Sequence, residues 1–266
     1  MKIIDSHIHI ENRNAEDLAL MSMAGVSKVV SMVWHPQSFS FTSDAIFAYY
    51  DRAIKWEPVR TRMQLIETYV GVGISMVAVP TDWERVIEKL PGYLENDRVV
   101  CVGEIGIEPA SQCCKDLGLQ EEIFRTQLEF AKKYDLPVDI HTPFKEQEKW
   151  IEKYAAIIED VGNDKNRVIL DHMKPESVQL AWDTGCVAGM TVQPWRKLTG
   201  ADAAKIVEKG GPLERFVIDS DCSQSKASDS LSVPKAVFEM RKLGIDEATI
   251  EQIVYHNPSR IFHLPE

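Results

Sequence analysis

The chain has 266 residues, 44% of them hydrophobic and 27% charged, an ordinary globular composition long enough for one large α/β core. Its 30 basic and 41 acidic residues give a formal net charge of −11, which argues against general affinity for nucleic acid or anionic membrane, since both need basic patches. Five cysteines, with no Cys-x-x-Cys pair, suit a reducing compartment rather than a disulfide scaffold. The start, Met1 to His7, has no long apolar stretch, so no signal peptide is expected. No run approaches ~18 apolar residues, so no transmembrane helix is expected either. The expectation is a cytoplasmic protein with a small-molecule substrate.

Taken in chain order, eight short runs rich in Val and Ile stand out. They are Lys2–Ser6, Lys28–Trp34, Ile74–Pro80, Val99–Ile105, Pro137–His141, Arg167–His172, Cys186–Val192 and Arg215–Asp221. Continuous apolar runs of this length suit strands buried on both faces of a parallel sheet. Helix-period stretches lie between them, clearest at Glu121–Tyr134, Trp150–Val161 and Asp202–Glu208. Strand and helix alternating about eight times predict right-handed βαβ units closing into a (β/α)8 TIM barrel, a single domain over residues 1–266 with C-terminal helices. The segment from His35 to about Arg60 reads as a long, aromatic-rich irregular connection, either a substrate lid or an insert packed on the barrel. In the tail, Asp246 is a candidate N-cap, and Asn257-Pro258 starts a further turn.

The chemistry-bearing residues finish these strands. His7 and His9 lie two apart at the end of the first run, so both project to one side, an arrangement that suits a divalent transition metal. Glu104 ends the fourth run, His141 the fifth, His172 the sixth, and Asp219 and Asp221 the eighth. Barrel active sites are built at these C-terminal strand ends. His35, Lys174 and Trp195 also follow strand ends and are candidate substrate contacts.

This ordered set resembles the amidohydrolase superfamily. The run Gly103-Glu104-Ile105-Gly106-Ile107-Glu108 resembles the strand-four motif of its TatD-like branch, and Asn257 to Phe262 resembles that branch's Asn-x-x-x-x-Phe ending. The resemblance spans Ile3 to Phe262. It implies a metal-dependent hydrolase with two divalent ions (Zn, Mn or Mg). His7 and His9 would hold the more buried ion, and Glu104 would bridge the two. His141 and His172 would bind the second ion. Asp221 would touch a metal and act as catalytic general base. Asp219, one layer deeper, is the alternative for that role.

Two departures bear on the substrate. TatD-like nucleases often carry an Arg two residues after the strand-five His, where this chain has Pro143. The strand-six segment around His172 also differs from the nuclease pattern. With the acidic balance, these features favour a small-molecule ester, phosphoester, lactone or amide over DNA. A TatD-type deoxyribonuclease is the first alternative, and a metal-binding non-hydrolytic pathway protein or an isomerase the second.

Overall fold

A computed structural model describes residues 1–33, 41–223 and 228–265. Eight strands form one parallel sheet in sequential order. They are β1 (Ile3–Ile8), β2 (Val26–Met32), β3 (Glu67–Val72), β4 (Val99–Gly106), β5 (Val138–His141), β6 (Val168–Leu170), β7 (Val187–Thr191) and β8 (Phe216–Asp219). The sheet curls until its edges meet just beyond β8. There Ile8 bridges Cys222 in parallel, Asp221 N–H donates to the His7 carbonyl at 2.9 Å, and His9 N–H to the Cys222 carbonyl at 3.1 Å. The expected TIM barrel is present.

The helices are α1 (Ala15–Met23), α2 (Ser43–Lys55), α3 (Glu57–Arg62), α4 (Trp83–Leu94), α5 (Leu117–Lys133), α6 (Gln147–Val161), α7 (Val178–Asp183), α8 (Gly200–Glu208), α9 (Ser232–Lys242), α10 (Glu247–Glu251) and α11 (Asn257–Ile261). Among the described residues, no helix is long and apolar enough to cross a membrane. Where local caps exist they are of the ordinary kind: Asp116 caps α5, Thr199 and Asp202 form a capping box on α8, and Asp246 caps α10.

Two sequence expectations need correction. The third strand is Glu67–Val72, not Ile74–Pro80. The later run is more apolar, and Ile74, Met76 and Ala78 are indeed buried, but its backbone leaves the sheet. Ile74 N–H donates to Gln127 Oε1 at 2.6 Å, and Gln127 Nε2 donates back to the Ile74 carbonyl at 3.3 Å. A side-chain amide of α5 thus replaces the ladder partners that a strand would need. The segment from 35 to 60 is mostly helix rather than irregular. Its start is satisfied from afar: Ser43 N–H and Oγ donate to the Asp82 carboxylate at 2.6 and 2.7 Å. Phe41, Phe47, Tyr49 and Tyr50 pack on the core, and Tyr50 OH donates to the Gly73 carbonyl at 2.7 Å, so the described part of the segment is a packed insert. Residues 34–40, including His35, lie outside the described residues.

The core has two parts. One lies between strands and helices. The other gathers the opposite strand faces, including Ile4, Val30, Ile169, Val187 and Val217, with Ile261, Phe262 and Leu264 from the tail. The tail therefore packs against strand residues remote from the histidine-bearing ends. Asn257 fixes it there, donating through Nδ2 to the Leu213 and Phe216 carbonyls at 2.8 Å each. Phe262 is only 2% exposed, so Phe262→Ala removes a ring that its surroundings can only partly refill. We expect a loss of about 3–5 kcal/mol, read as a lower denaturant midpoint in urea unfolding. An unchanged midpoint would contradict this packing role.

Candidate metal centre at the strand ends

The structure brings His7, His9, Glu104, His141, His172 and Asp221 together at the C-terminal ends of the barrel strands. His7 and His9 project to one side as the spacing requires. Glu104 is less simple, because strict alternation would place it with Val102, on the helix-facing side of β4. The β4–β5 register slips between Val102 and Ile105, and both of those residues pack in the outer core. The slip turns Glu104 inward.

Glu104 is the hub. Its Oε1 lies 2.9 Å from His141 Nδ1 and 3.0 Å from His172 Nε2. Burial would raise its pKa, but these imidazole bonds and the nearby His7 hold it well below the usual carboxylate range. His141 Nε2 lies 3.0 Å from Glu108 Oε2. Burial favours the neutral ring, yet the two carboxylates push the His141 pKa up to about 9. His172 shifts down, chiefly through burial and with help from Lys197.

Asp221 faces the other imidazole pair. Its Oδ1 is 3.1 Å from His9 Nε2 and 3.9 Å from His7 Nε2. Its Oδ2 accepts from Lys197 Nζ at 2.5 Å. Burial alone would raise its pKa, but Lys197, His9 and His7 hold it well below the usual range. Gln193 Nε2 donates to the Asp221 carbonyl at 2.9 Å and so braces the backbone. Asp219 sits deeper, fully buried, with burial and the charge of Asp171 raising its pKa. Of the two aspartates, Asp221 is the one placed against the histidine pair.

Supporting residues fix the rings. His7 Nδ1 contacts Asp171 Oδ2 at 2.8 Å, and His9 Nδ1 donates to the Met32 carbonyl at 2.8 Å. Bonds of this kind commit Nδ1 and leave Nε2 as the ligating atom. Thr191 Oγ1 lies 2.8 Å from His172 Nδ1 and donates to Asp171 Oδ1 at 2.9 Å. The donor set fits divalent cations. The ligand atoms of His7, His9 and Glu104 lie within 4.8 Å of one another, as do those of Glu104, His141 and His172. His7 Nε2 is buried with no hydrogen-bond partner among the described residues, a cost that a bound cation would remove.

The other expected contacts fall differently. Lys174 lines a hollow beside the main cleft, with its Nζ 4.0 Å from the centre of the Phe144 ring. Trp195 caps a turn after β7 at 90% exposure, and its neighbours Arg196 and Lys197 line the cleft instead. Lys197, Thr191, Asp171 and Asp139 carry no motif of their own. Asp139 and Asp171 were nevertheless findable, since each stands just before or within two residues of a rim histidine. Lys197 reaches Asp221 only through the shape of the turn.

Comparison with known proteins identifies the family and the fold. The family model of the TatD-related DNases matches residues 4–263. An uncharacterized metal-dependent hydrolase of Methanocaldococcus jannaschii is 33% identical over 98% of this chain and all of its own length. The crystal structure of a TatD-like protein from Archaeoglobus fulgidus superposes with a TM-score of 0.78 at 25% identity, covering 98% of this chain and 99% of that one. The phosphotriesterase of Mycobacterium tuberculosis shares the fold, with a TM-score of 0.67 at 13% identity over 98% of this chain and 94% of its own. The chain belongs to the TatD-related DNase family of metal-dependent hydrolases.

Proposed function

We propose that this protein hydrolyses an ester, phosphoester, lactone or amide bond in a small molecule, using two divalent cations. The observation that carries the reading is the pair of ligand sets meeting at Glu104. His7, His9 and Asp221 would hold one cation and His141 and His172 the other, with Glu104 shared. Bound cations acidify water and polarise the bond under attack.

The protein's own groups supply the rest. Asp221, kept ionised by Lys197 and the two histidines, takes the proton from the attacking water. The new bond forms from that oxygen to the acyl or phosphoryl centre. As the bond to the leaving group breaks, Asp221 returns the proton to the departing atom. Lys197 holds the outer oxygen of Asp221, so that Oδ1 stays turned toward His9. His172, shifted toward the neutral form, is in the state a ligand needs.

The substrate reading is supported by a cleft of about 510 Å³ above the ligands, within the range of small-molecule sites. The net charge of −11 and Pro143 in place of a basic residue also favour it. The family's name favours a second reading, deoxyribonuclease activity. Assaying p-nitrophenyl esters, phosphoesters and lactones beside single-stranded DNA separates the two, and turnover of DNA alone overturns the first.

Protein purified without chelator should carry about two divalent ions per chain by elemental analysis. Finding none, with no activity restored by Mn, Zn or Mg, overturns the metal assignment. Asp221→Asn, assayed in excess divalent ion, should lower kcat at least ~100-fold, and a variant with normal kcat removes Asp221 as the base. Asp171→Asn loosens the orientation of His7 and should weaken metal affinity about 10- to 100-fold, measured by competition with a chromogenic chelator.

A further inference from the structure

The wall of the main cleft carries the carboxylates Glu104, Glu108 and Asp221. Each is already engaged: Glu104 by His141 and His172, Glu108 by His141, and Asp221 by Lys197. Arg196 stands on the same wall. It is exposed and, among the described residues, makes no ion pair. Its backbone is held firmly for a loop residue. Arg196 and Lys197 N–H both donate to the Gln193 carbonyl, at 3.1 and 2.9 Å, and Leu198 N–H donates to the Thr191 carbonyl at 3.2 Å. Val192 bridges Leu198 across the base of the turn. The turn therefore presents an arginine with no ion pair among the described residues, from a well-held backbone, beside the candidate metal ligands.

A second hollow of about 290 Å³ shares His172 and Lys197 with the cleft. Among its described lining residues, the cation besides Lys197 is Lys174, and the acidic residue is Glu176. Cations with no ion pair among the described residues thus stand on both sides of the His172–Lys197 wall, Arg196 on one and Lys174, over the Phe144 ring, on the other, on a chain with a net charge of −11. A guanidinium binds planar or tetrahedral oxyanions through paired N–H donors.

We propose that the site selects a small substrate bearing a carboxylate or phosphate away from the bond that is cut, with Arg196 binding that anion. Lys174 provides a further contact for a substrate long enough to cross the shared wall. This deepens the hydrolytic reading above and rests on it for the word substrate, while the anion site itself is a matter of binding.

The test has a binding arm and a kinetic arm. Isothermal titration of inorganic phosphate and of succinate is done on metal-loaded and on chelator-treated protein. Wild-type protein should bind at least one of these anions in both preparations, and the one bound more tightly identifies the oxyanion. Arg196→Gln should weaken that anion about tenfold, with Arg196→Lys falling between. In the kinetic arm, the ratio of kcat/KM for mono-p-nitrophenyl succinate over p-nitrophenyl acetate should fall about tenfold in Arg196→Gln. The ratio should fall further when Lys174→Gln is added. If chelated wild-type protein binds neither anion, or Arg196→Gln binds both as wild type does, the proposal is overturned. If wild-type protein turns over neither ester, the hydrolytic reading suffers, and the titrations still decide the anion site.

Discussion

One carboxylate, that of Glu104, ties the site together. A single oxygen meets imidazoles from β5 and from the end of β6, while a Glu104 carboxylate oxygen lies within 4.8 Å of the His7 and His9 ring nitrogens, in and just beyond β1. Strands far apart in sequence must therefore close into a barrel before the centre exists. The register slip in β4 is what turns this side chain inward. In a regular strand the same residue would face the helices, and the two histidine pairs would have no common partner.

Beneath the histidines lies a layer of fully buried acids, Asp5, Asp139, Asp171 and Asp219. Burying carboxylates is costly unless they are paired or hydrogen-bonded. Asp171 is the best compensated: it meets the His7 ring, accepts from the His172 backbone N–H at 2.7 Å and from Thr191 Oγ1. Its pKa is accordingly held down, despite burial, by His172 and His7. Asp5 accepts from Ser220 through both oxygens, yet burial pushes it up to about 7. The layer orients the rings above it: the Asp171 contact engages His7 Nδ1 and leaves Nε2 with no hydrogen-bond partner among the described residues. A carboxylate behind a ring in this way is the support a histidine needs to offer a metal a defined lone pair.

The barrel divides its labour along its axis. The tail, with Asn257 and Phe262, packs on strand residues away from the ligands, where its contribution is to stability. The candidate metal ligands collect at the opposite ends, on strand termini and the turns after them, where barrel sites are built. The turn after β7 contributes most beyond the ligands. Gln193 braces Asp221, Lys197 holds its outer oxygen, and Arg196 faces the cleft.

The sequence by itself determined the fold class, seven of the eight strands and the set of ligand candidates. It could do so because buried parallel strands read as continuous apolar runs and rim residues sit at their ends. Where it misled, a long-range partner had replaced a local one. Gln127 draws Ile74 out of the sheet, and Asp82 satisfies the start of α2, where the N-cap Thr42 makes no side-chain capping bond. Only the tertiary structure decided that Glu104 turns inward and that Lys197 and Arg196 stand at the site while Trp195 points to solvent. Each of these depends on a register slip or a turn shape. Such features are fixed by contacts between segments distant in the chain, and no spacing within one segment encodes them.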